Sequence, residues 1–357
     1  MKTDFFENKV ILVTGGAGSI GSELVKQLLK LNVKVVRVID TDETELFFME
    51  HSLDSDRLRV FIGDIRDSER MNLAMENVDI VFHAAALKHV PLCEKNPFEA
   101  VKTNIIGTQN LIQIARSNKV KKFITISTDK AINPTNVMGA TKLLAERLTI
   151  AAYHYTDYRD TSFSSVRFGN VLGSRGSVIQ VFIDQIQKGG PITVTDLNMT
   201  RFIMKIDHAV QLVLRVATLA KGGEIFILEM PALNLKDLTE VLIELTAPLY
   251  GYVPNDIKIK IIGNRIGEKE HEELLSEYET INSYLLKYEN LYILTPKDPS
   301  YHPDVLLSYY KQMGASIKDI KQIQIKSSSE ADLLSKSQIK SLLKEFISDL
   351  TSKKFII

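Results

Sequence analysis

Residues 10–25 read VILVTGGAGSIGSELV: an aliphatic, β-branched run, then glycines at Gly15, Gly18 and Gly21, then an amphipathic helical pattern. A strand that turns this tightly into a helix must leave space where side chains would stand, and glycine leaves it. The same glycines let backbone approach a pyrophosphate, whose charge meets the N–H groups and positive dipole end of the helix that Ser19 and Ile20 open. Glycine spacing alone marks only a turn; its place between a buried strand and a helix makes a dinucleotide site the expectation. The rhythm then repeats: KVVRVID, ELFFMEHSL, LRVFIGD, SERMNLAM, VDIVFHAA, NIIGTQNLIQIARSN, KKFITIS, GATKLLAERLTIAAYHY and SFSSVRFGNV alternate β-rich runs with helical ones. This predicts an α/β fold, a Rossmann-type doubly wound parallel sheet with helices on both faces.

Asp40 ends the second strand, nineteen residues after Gly21, where a carboxylate accepts ribose hydroxyls. Its charge repels a 2′-phosphate and no arginine follows immediately, so NAD is expected over NADP; Arg37 is the one nearby residue that pulls the other way. Asp64, after the third strand, reads either as an acceptor for the adenine amino group or as a helix cap.

Past about residue 172 glycine and proline punctuation (GSRGS, KGGP, KGGE, MPAL) loosens the rhythm, and helical patterns follow at VIQVFIDQIQ, HAVQLVLRVATLAK and LKDLTEVLIELTAPLYG. The expected organisation is a Rossmann domain over 1–172, a smaller α/β substrate-binding region over 173–285, separate from the first or interleaved with it, and a C-terminal extension over 286–357. In the extension the serines at 327–329 read as a linker to an amphipathic helix with Ile339, Leu342, Leu343, Phe346 and Leu350 on one face. That face packs on its own domain or on a second subunit, and a homo-oligomer is expected.

Lysine plus arginine and aspartate plus glutamate both number 44, so no global field draws the chain to nucleic acid or acidic lipid. No apolar stretch is long enough to insert into a membrane. The single cysteine, Cys93, cannot make an internal disulfide and reads as a buried, inert thiol. With no signal-peptide pattern among the first residues, the cytoplasm is the expected compartment. His89 has no partner at metal-ligand spacing, and no metal is expected.

TGxxGxxG, the HAAA after the fourth strand, Thr103-Asn104 and Lys142 resemble the extended short-chain dehydrogenase/reductase superfamily. AAALKHVPLCEKNPFEAVKTN (84–104), STDKAINPTNVMGATK (127–142) and SSVRFGNVLGSRGSV (164–178) are similar to the UDP-N-acetylglucosamine 4,6-dehydratases of polysaccharide and glycan biosynthesis. The resemblance covers about residues 8–275, and the tail carries none of it. GNRIGEKEHEEL departs from the pattern RPGEKLYEEL at Ile266 and at Glu270-His271. Where some members carry tyrosine, four residues before Lys142, this chain has Met138 and so sits with the methionine type. The resemblance implies that Ile65, Ala84, Ala85, Ala86, Asn104 and Lys142 join the glycine loop, Asp40 and Asp64 around NAD.

Removing water across C5 and C6 of a hexose requires a ketone at C4, which makes the C5 hydrogen acidic. If NAD takes hydride from C4 and returns it to C6, the site needs a base at C5 and an acid at the C6 oxygen. In related hexose dehydratases the strand end reads Thr-Asp-Glu, with the glutamate as base; here Thr128, Asp129 and Lys130 follow FITIS. The resemblance implies Asp129 as the acid and Lys130, neutral when it acts, as the base, its pKa lowered by desolvation or nearby positive charge. Lys142 then binds the nicotinamide ribose. Met138 lines the same helix face one turn earlier, and a thioether cannot accept the O4 proton. That proton goes to Asp129 or Lys130, directly or through Thr128 or water.

On the substrate side the resemblance implies UDP-N-acetylglucosamine, with Asn170, Arg175 and Arg201 toward the diphosphate. Arg265 and Glu268 complete the nucleotide pocket, Glu268 toward the uridine ribose, while Lys88 and His89 face cofactor or sugar. The alternatives are a UDP-sugar 4-epimerase and a non-catalytic dinucleotide-sensing protein. Retention of Lys142 and the Asp129-Lys130 pair argues against the second.

Overall fold

The computed structural model describes residues 3–155, 161–319 and 326–353. The side chain of Leu350, expected on the apolar face of the last helix, lies outside the described residues. The strands run in chain order as β1 (Val10–Thr14), β2 (Val35–Asp40), β3 (Leu58–Ile62), β4 (Ile80–His83), β5 (Lys122–Ile126) and β6 (Ser162–Arg167). There follow β7 (Asn170–Leu172), β8 (Ile192–Val194), β9 (Thr200–Lys205), β10 (Ile225–Leu228) and β11 (Ala232–Asn234). Last come β12 (Ile259–Ile261), β13 (Ser283–Tyr288), β14 (Leu291–Pro296) and β15 (Ser316–Ile317).

The chain divides into two compact units that interleave along the sequence. The first comprises Met1–Phe168, Asp207–Glu229 and Leu274–Ile323, the second Gly169–Ile206, Met230–Glu273 and Gln324–Ile357. These units cross the expected spans 1–172, 173–285 and 286–357, of which the second was left open to interleave with the first.

In the first unit the sheet order is β15-β13-β14-β10-β6-β5-β4-β1-β2-β3. From β10 to β3 every pairing is parallel, with Ile11 level with both Val36 and Ile80. Helices cover such a sheet on both faces, so β4 and β6 are buried throughout and read as continuous runs rather than alternating ones. The order reverses at β1, flanked by β2 on one side and β4 on the other, and ligands of doubly wound sheets bind beyond the strand ends at such a reversal. Three antiparallel strands, β14, β13 and β15, extend the other edge. They come from residues the sequence reading placed in the second region and the extension. SYLLKYENLYILTP folds back at Glu289, whose φ of +49 makes the tight reversal, and pairs Leu294 with Ile225.

The second unit holds a three-stranded sheet, β11-β9-β7, and a parallel pair, β12-β8. Its core gathers Phe182, Ile186, Leu235 and Leu242 with Ile339 and Leu343 of the C-terminal helix Lys336–Lys353. That helix packs on its own chain, with Lys336–Glu240 and Lys340–Glu244 ion pairs flanking the apolar contact. The serines at 327–329 are not a solvated linker, since Ser328 is fully buried. Among the described residues no helix is long and apolar enough to cross a membrane.

Candidate active site

Gly15 turns the chain out of β1 with φ +65, and a Cβ there would lie 2.5 Å from the Ala85 nitrogen. Gly21 is still tighter: a Cβ would stand 2.2 Å from the Gly15 carbonyl oxygen. The helix Ser19–Leu29 begins at Gly18 with no side-chain cap, leaving its first N–H groups for an anion. Asp40 closes the loop from the other side. Its Oδ2 accepts the Ala17 N–H at 3.0 Å, and its Oδ1 accepts those of Thr41 and Asp42 at 2.8 and 3.2 Å. These residues fit a dinucleotide: the glycines keep open a cradle that any Cβ would fill, and a carboxylate stands at the end of β2. Arg37 points its Nη1 to the carbonyls of Ala74 and Glu76, at 2.9 and 2.7 Å, and so is engaged away from a 2′-phosphate.

Asp64 is not the helix cap, a place taken by Asp67; Arg66 grips its carboxylate through Nε at 2.8 Å and Nη2 at 2.5 Å. Burial would raise this carboxyl, but the hydrogen bonds and charge of Arg66 hold it below the ordinary value. Ile65, beside it, is buried against Gly107, where a Cβ would meet its Cδ1 at 2.6 Å. Ala84 and Ala85 stack their backbone on the end of β1, Ala84 N–H to the Thr14 carbonyl at 3.1 Å, and Ala86 is half-buried after them.

One residue of this region that sequence reasoning passed over is His83, the histidine of HAAA. It is buried between Thr14 and Thr108, each hydroxyl 2.9 Å from a ring nitrogen. Thr108 gives its own proton to the Asn104 carbonyl at 2.7 Å, so His83 Nε2 donates and Nδ1 accepts from Thr14. Burial, with the nearby Lys142 charge, pushes its pKa down to about 3, so the ring is neutral at ordinary pH. Its signal in the sequence was a polar residue in an otherwise apolar strand.

Asn104 lies in a π-helical turn, Val101–Gly107, and is buried. Its amide exchanges both bonds with the Leu87 backbone, at 2.8 and 3.0 Å, and donates to Thr141 Oγ1 at 2.9 Å. These bonds hold the 84–89 segment to the helix Val137–Ala151. Lys88 and His89 are exposed on that segment, just before the helix Val90–Lys95.

Beyond β5 the chain makes a single 3-10 turn, Asp129–Ala131, capped by Thr128. Asp129 is fully buried, and its Oδ1 accepts from Thr128 Oγ1 at 2.9 Å and from Lys130 Nζ at 3.0 Å. The helix Val137–Ala151 approaches so closely that a Cβ on Gly139 would lie 2.3 Å from the Lys130 carbonyl oxygen. Lys142, on that helix, is buried and donates to the Ile126 carbonyl at 2.5 Å. Desolvation lowers its pKa to about 8, with Glu146 one turn later opposing the shift. The structure thus brings Thr128, Asp129, Lys130 and Lys142 to one strand end.

Met138 is 4% exposed and packs with Cys93 and Ala100. It fastens the helix Val90–Lys95 to Val137–Ala151, a use of a flexible thioether in an irregular gap. Because leucine conserves that volume, Met138→Leu is expected to keep turnover within about threefold, as such core swaps cost under about 1.5 kcal/mol. Met138→Tyr must bury a phenol in the same cluster and is expected to lower the melting temperature without raising turnover; a several-fold gain in turnover would contradict this.

The remaining candidates lie in the second unit. Asn170 opens β7, and Arg175 is exposed in the loop after it. Arg201, in β9, is buried with its guanidinium enclosed by one loop: Nη1 donates to the Thr200 and Glu270 carbonyls, and Nη2 to the Lys269 carbonyl at 2.9 Å. Nη2 also reaches Glu268 Oε1 at 3.4 Å, and Nε stands 3.8 Å from Glu272. These bonds turn its fork toward 268–272. The other oxygen of Glu268, Oε2, is buried and finds no hydrogen-bond partner among the described residues. Arg265, three residues earlier, is exposed. Among the described residues no group of three or more side chains comes together as a metal site.

The model of the polysaccharide biosynthesis protein family matches residues 11–295. An uncharacterized membrane protein of Methanocaldococcus jannaschii is 57% identical over 343 residues, 96% of this chain and 97% of the relative. A UDP-N-acetylglucosamine 4,6-dehydratase (inverting) of Campylobacter jejuni is 42% identical over 319 residues, 88% and 91% of the two chains. A UDP-glucose 4-epimerase of Rickettsia bellii is 38% identical over 95% of this chain and 96% of its own. Among solved structures, Pen from Bacillus thuringiensis superposes with a TM-score of 0.84 at 41% identity, covering 96% of this chain and 98% of that one.

Proposed function

The chain belongs to the polysaccharide biosynthesis protein family, a family of nucleotide-sugar dehydratases and epimerases, and from that premise we propose that it is an NAD-dependent UDP-N-acetylglucosamine 4,6-dehydratase. Its product would be a UDP-4-keto-6-deoxy amino sugar. The observation that carries the reading is the Lys130–Asp129 pair, 3.0 Å apart at the end of β5. An epimerase has no use for a second acid and base beside C5 and C6.

NAD, when bound, supplies the reversible oxidation of the sugar at C4. The glycine loop holds its pyrophosphate, Asp40 the adenosine ribose, and Lys142 the nicotinamide ribose. The pair acts with Asp129 as carboxylate and Lys130 as neutral amine: Asp129 takes the O4 proton as C4 is oxidised and gives it to the departing C6 hydroxyl, while Lys130 takes the C5 proton. Thr128, donating to that carboxylate, provides the relay by which the O4 proton reaches Asp129 in the absence of a tyrosine.

On the nucleotide side, the unpartnered Glu268 Oε2 is the acceptor for a uridine ribose hydroxyl. Arg201 positions that carboxylate, while Asn170, Arg175 and Arg265 take the diphosphate. We also propose a homo-oligomer, since Leu92 and Phe98 of the first unit are 59% and 79% exposed near one another in sequence.

Incubation with UDP-N-acetylglucosamine in deuterated water tests the reading. Loss of one water and deuterium at C5, seen by mass spectrometry and NMR, is expected; a product of unchanged mass would favour the 4-epimerase. Asp40→Ala is expected to weaken NAD binding by about tenfold or more, the scale of hydrogen bonds to a charged group, and NADP binding much less. Equal or tighter NADP binding by the unmodified protein, measured by titration calorimetry, would refute the cofactor assignment.

A further inference from the structure

Beyond residue 295, where the family match ends, the chain returns to the second unit and places Ser328 against the loop that carries Glu268. Ser328 is fully buried. Its Oγ accepts the Glu272 N–H at 2.9 Å, its own N–H donates to the Glu272 carbonyl at 2.8 Å, and its Oγ lies 2.7 Å from Thr200 Oγ1. Thr200 in turn meets His271 Nδ1 at 2.8 Å and is adjacent to Arg201, whose guanidinium binds the carbonyls of 269 and 270. One buried hydroxyl therefore joins β9 to the Glu272 end of the Glu268–Glu272 loop, whose Glu268 end is held by Arg201. The strap continues with Leu334 N–H donating to the Ala232 carbonyl at 2.8 Å, and ends in the helix that buries Ile339 and Leu343.

We propose that Ser328 is a positioning residue for nucleotide binding: it holds the 268–272 loop in the conformation that aims Glu268, so that the C-terminal segment completes a binding surface whose ligand-facing residues lie far earlier in the chain. This rests on the nucleotide-sugar reading of that loop. The geometry favours it over simple packing because a packed apolar residue would serve to bury a strap, whereas both the N–H and the hydroxyl of Ser328 are spent on this loop and on Thr200. The departure from the family pattern at Glu270-His271 falls on the same network, His271 being the Thr200 partner.

Ser328→Ala leaves the Glu272 N–H buried without its acceptor, and an unmade buried bond of this kind changes an equilibrium by about tenfold. Two measurements are made on the full chain. Hydrogen exchange of residues 264–273, read without ligand, is expected to quicken by about tenfold while β1 to β6 are unchanged. UDP affinity by calorimetry is expected to fall by about tenfold and KM to rise alike, with kcat at saturation and NAD content within twofold of the unmodified chain. Thr200→Val, which keeps shape but removes the partner hydroxyl, is expected to quicken the same segment and decides the matter if Ser328→Ala does not fold. Unchanged exchange and unchanged UDP affinity in a folded Ser328→Ala overturn the proposal, as does an equal fall in kcat. Failure of the unmodified chain to bind UDP would instead overturn the nucleotide reading, whatever the exchange shows.

Discussion

Replacing Lys130 with alanine is expected to lower dehydration of UDP-N-acetylglucosamine by about 10²- to 10⁴-fold, the range of general acid–base roles. Without the amine, C5 keeps its hydrogen, so solvent deuterium fails to enter C5 while some oxidation at C4 persists; a 4-keto species accumulates. Asp129→Asn is expected to cost a similar factor but to impair both oxidation and elimination, because one carboxylate serves the O4 proton and the C6 hydroxyl. Asparagine keeps the shape, so NAD binding stays nearly intact. The separation arises from the geometry: the two groups stand 3.0 Å apart, yet only Asp129 is fully buried. Single-turnover kinetics with product analysis checks it. Near-normal dehydration by either variant would remove the acid–base pair from the mechanism.

The second large effect is on stability. Arg167, at the end of β6, is fully buried and ion-paired with Glu146 of Val137–Ala151 and Glu279 of the short helix Glu277–Asn282. It also donates to the Leu274 carbonyl at 2.8 Å, so three segments of the first unit converge on one guanidinium. Arg167→Met is expected to destabilise the protein by about 3–5 kcal/mol, because two carboxylates remain buried without their cation. Urea unfolding at two pH values tests the cause. Burial would raise the Glu279 carboxyl, but Arg167 holds it below the ordinary value, so its contribution is present above an unfolded pKa near 4.5 and is lost as pH falls through the lower folded one. In the variant the cation is gone, burial wins, and the folded state takes up a proton more readily than the unfolded one. The difference between the two proteins is therefore expected to narrow as pH is lowered from 8 to 5. A gap that stays constant, or one below about 1 kcal/mol, would contradict an electrostatic origin.

How far the sequence could be read depended on the range of the interactions. β1 to β6 and the glycine loop are local: strand, turn and helix follow from residues within about twenty positions, and the doubly wound sheet follows from their repetition. Asp129, Lys130 and Lys142 were legible for the same reason, since a strand end and a helix start separated by one short loop must lie together. β13 and β14 were missed although their runs are β-rich, because nothing in YLLKYENLYILTP says that the hairpin adds to β10, whose partner β14 lies more than sixty residues later. Met138 was placed beside the chemistry by its helical spacing from Lys142, yet its neighbours are Cys93 and Ala100, from segments about forty residues away.

By itself, then, the sequence determined a parallel doubly wound sheet, a glycine loop with Asp40 at its rim, and the placing of Asp129 and Lys130 together after β5, because each is written in contiguous residues whose φ/ψ needs and periodicity are local. Only tertiary structure decided that Arg201 turns inward to a loop, that Arg37 faces the carbonyls of Ala74 and Glu76, and that Ser328, in a run that reads as linker, is buried against Thr200 and Glu272. A charged or hydroxyl side chain looks the same in sequence whether it faces water or a backbone carbonyl. Which one it meets depends on segments that fold brings from elsewhere, since buried donors and acceptors must find partners wherever the chain supplies them.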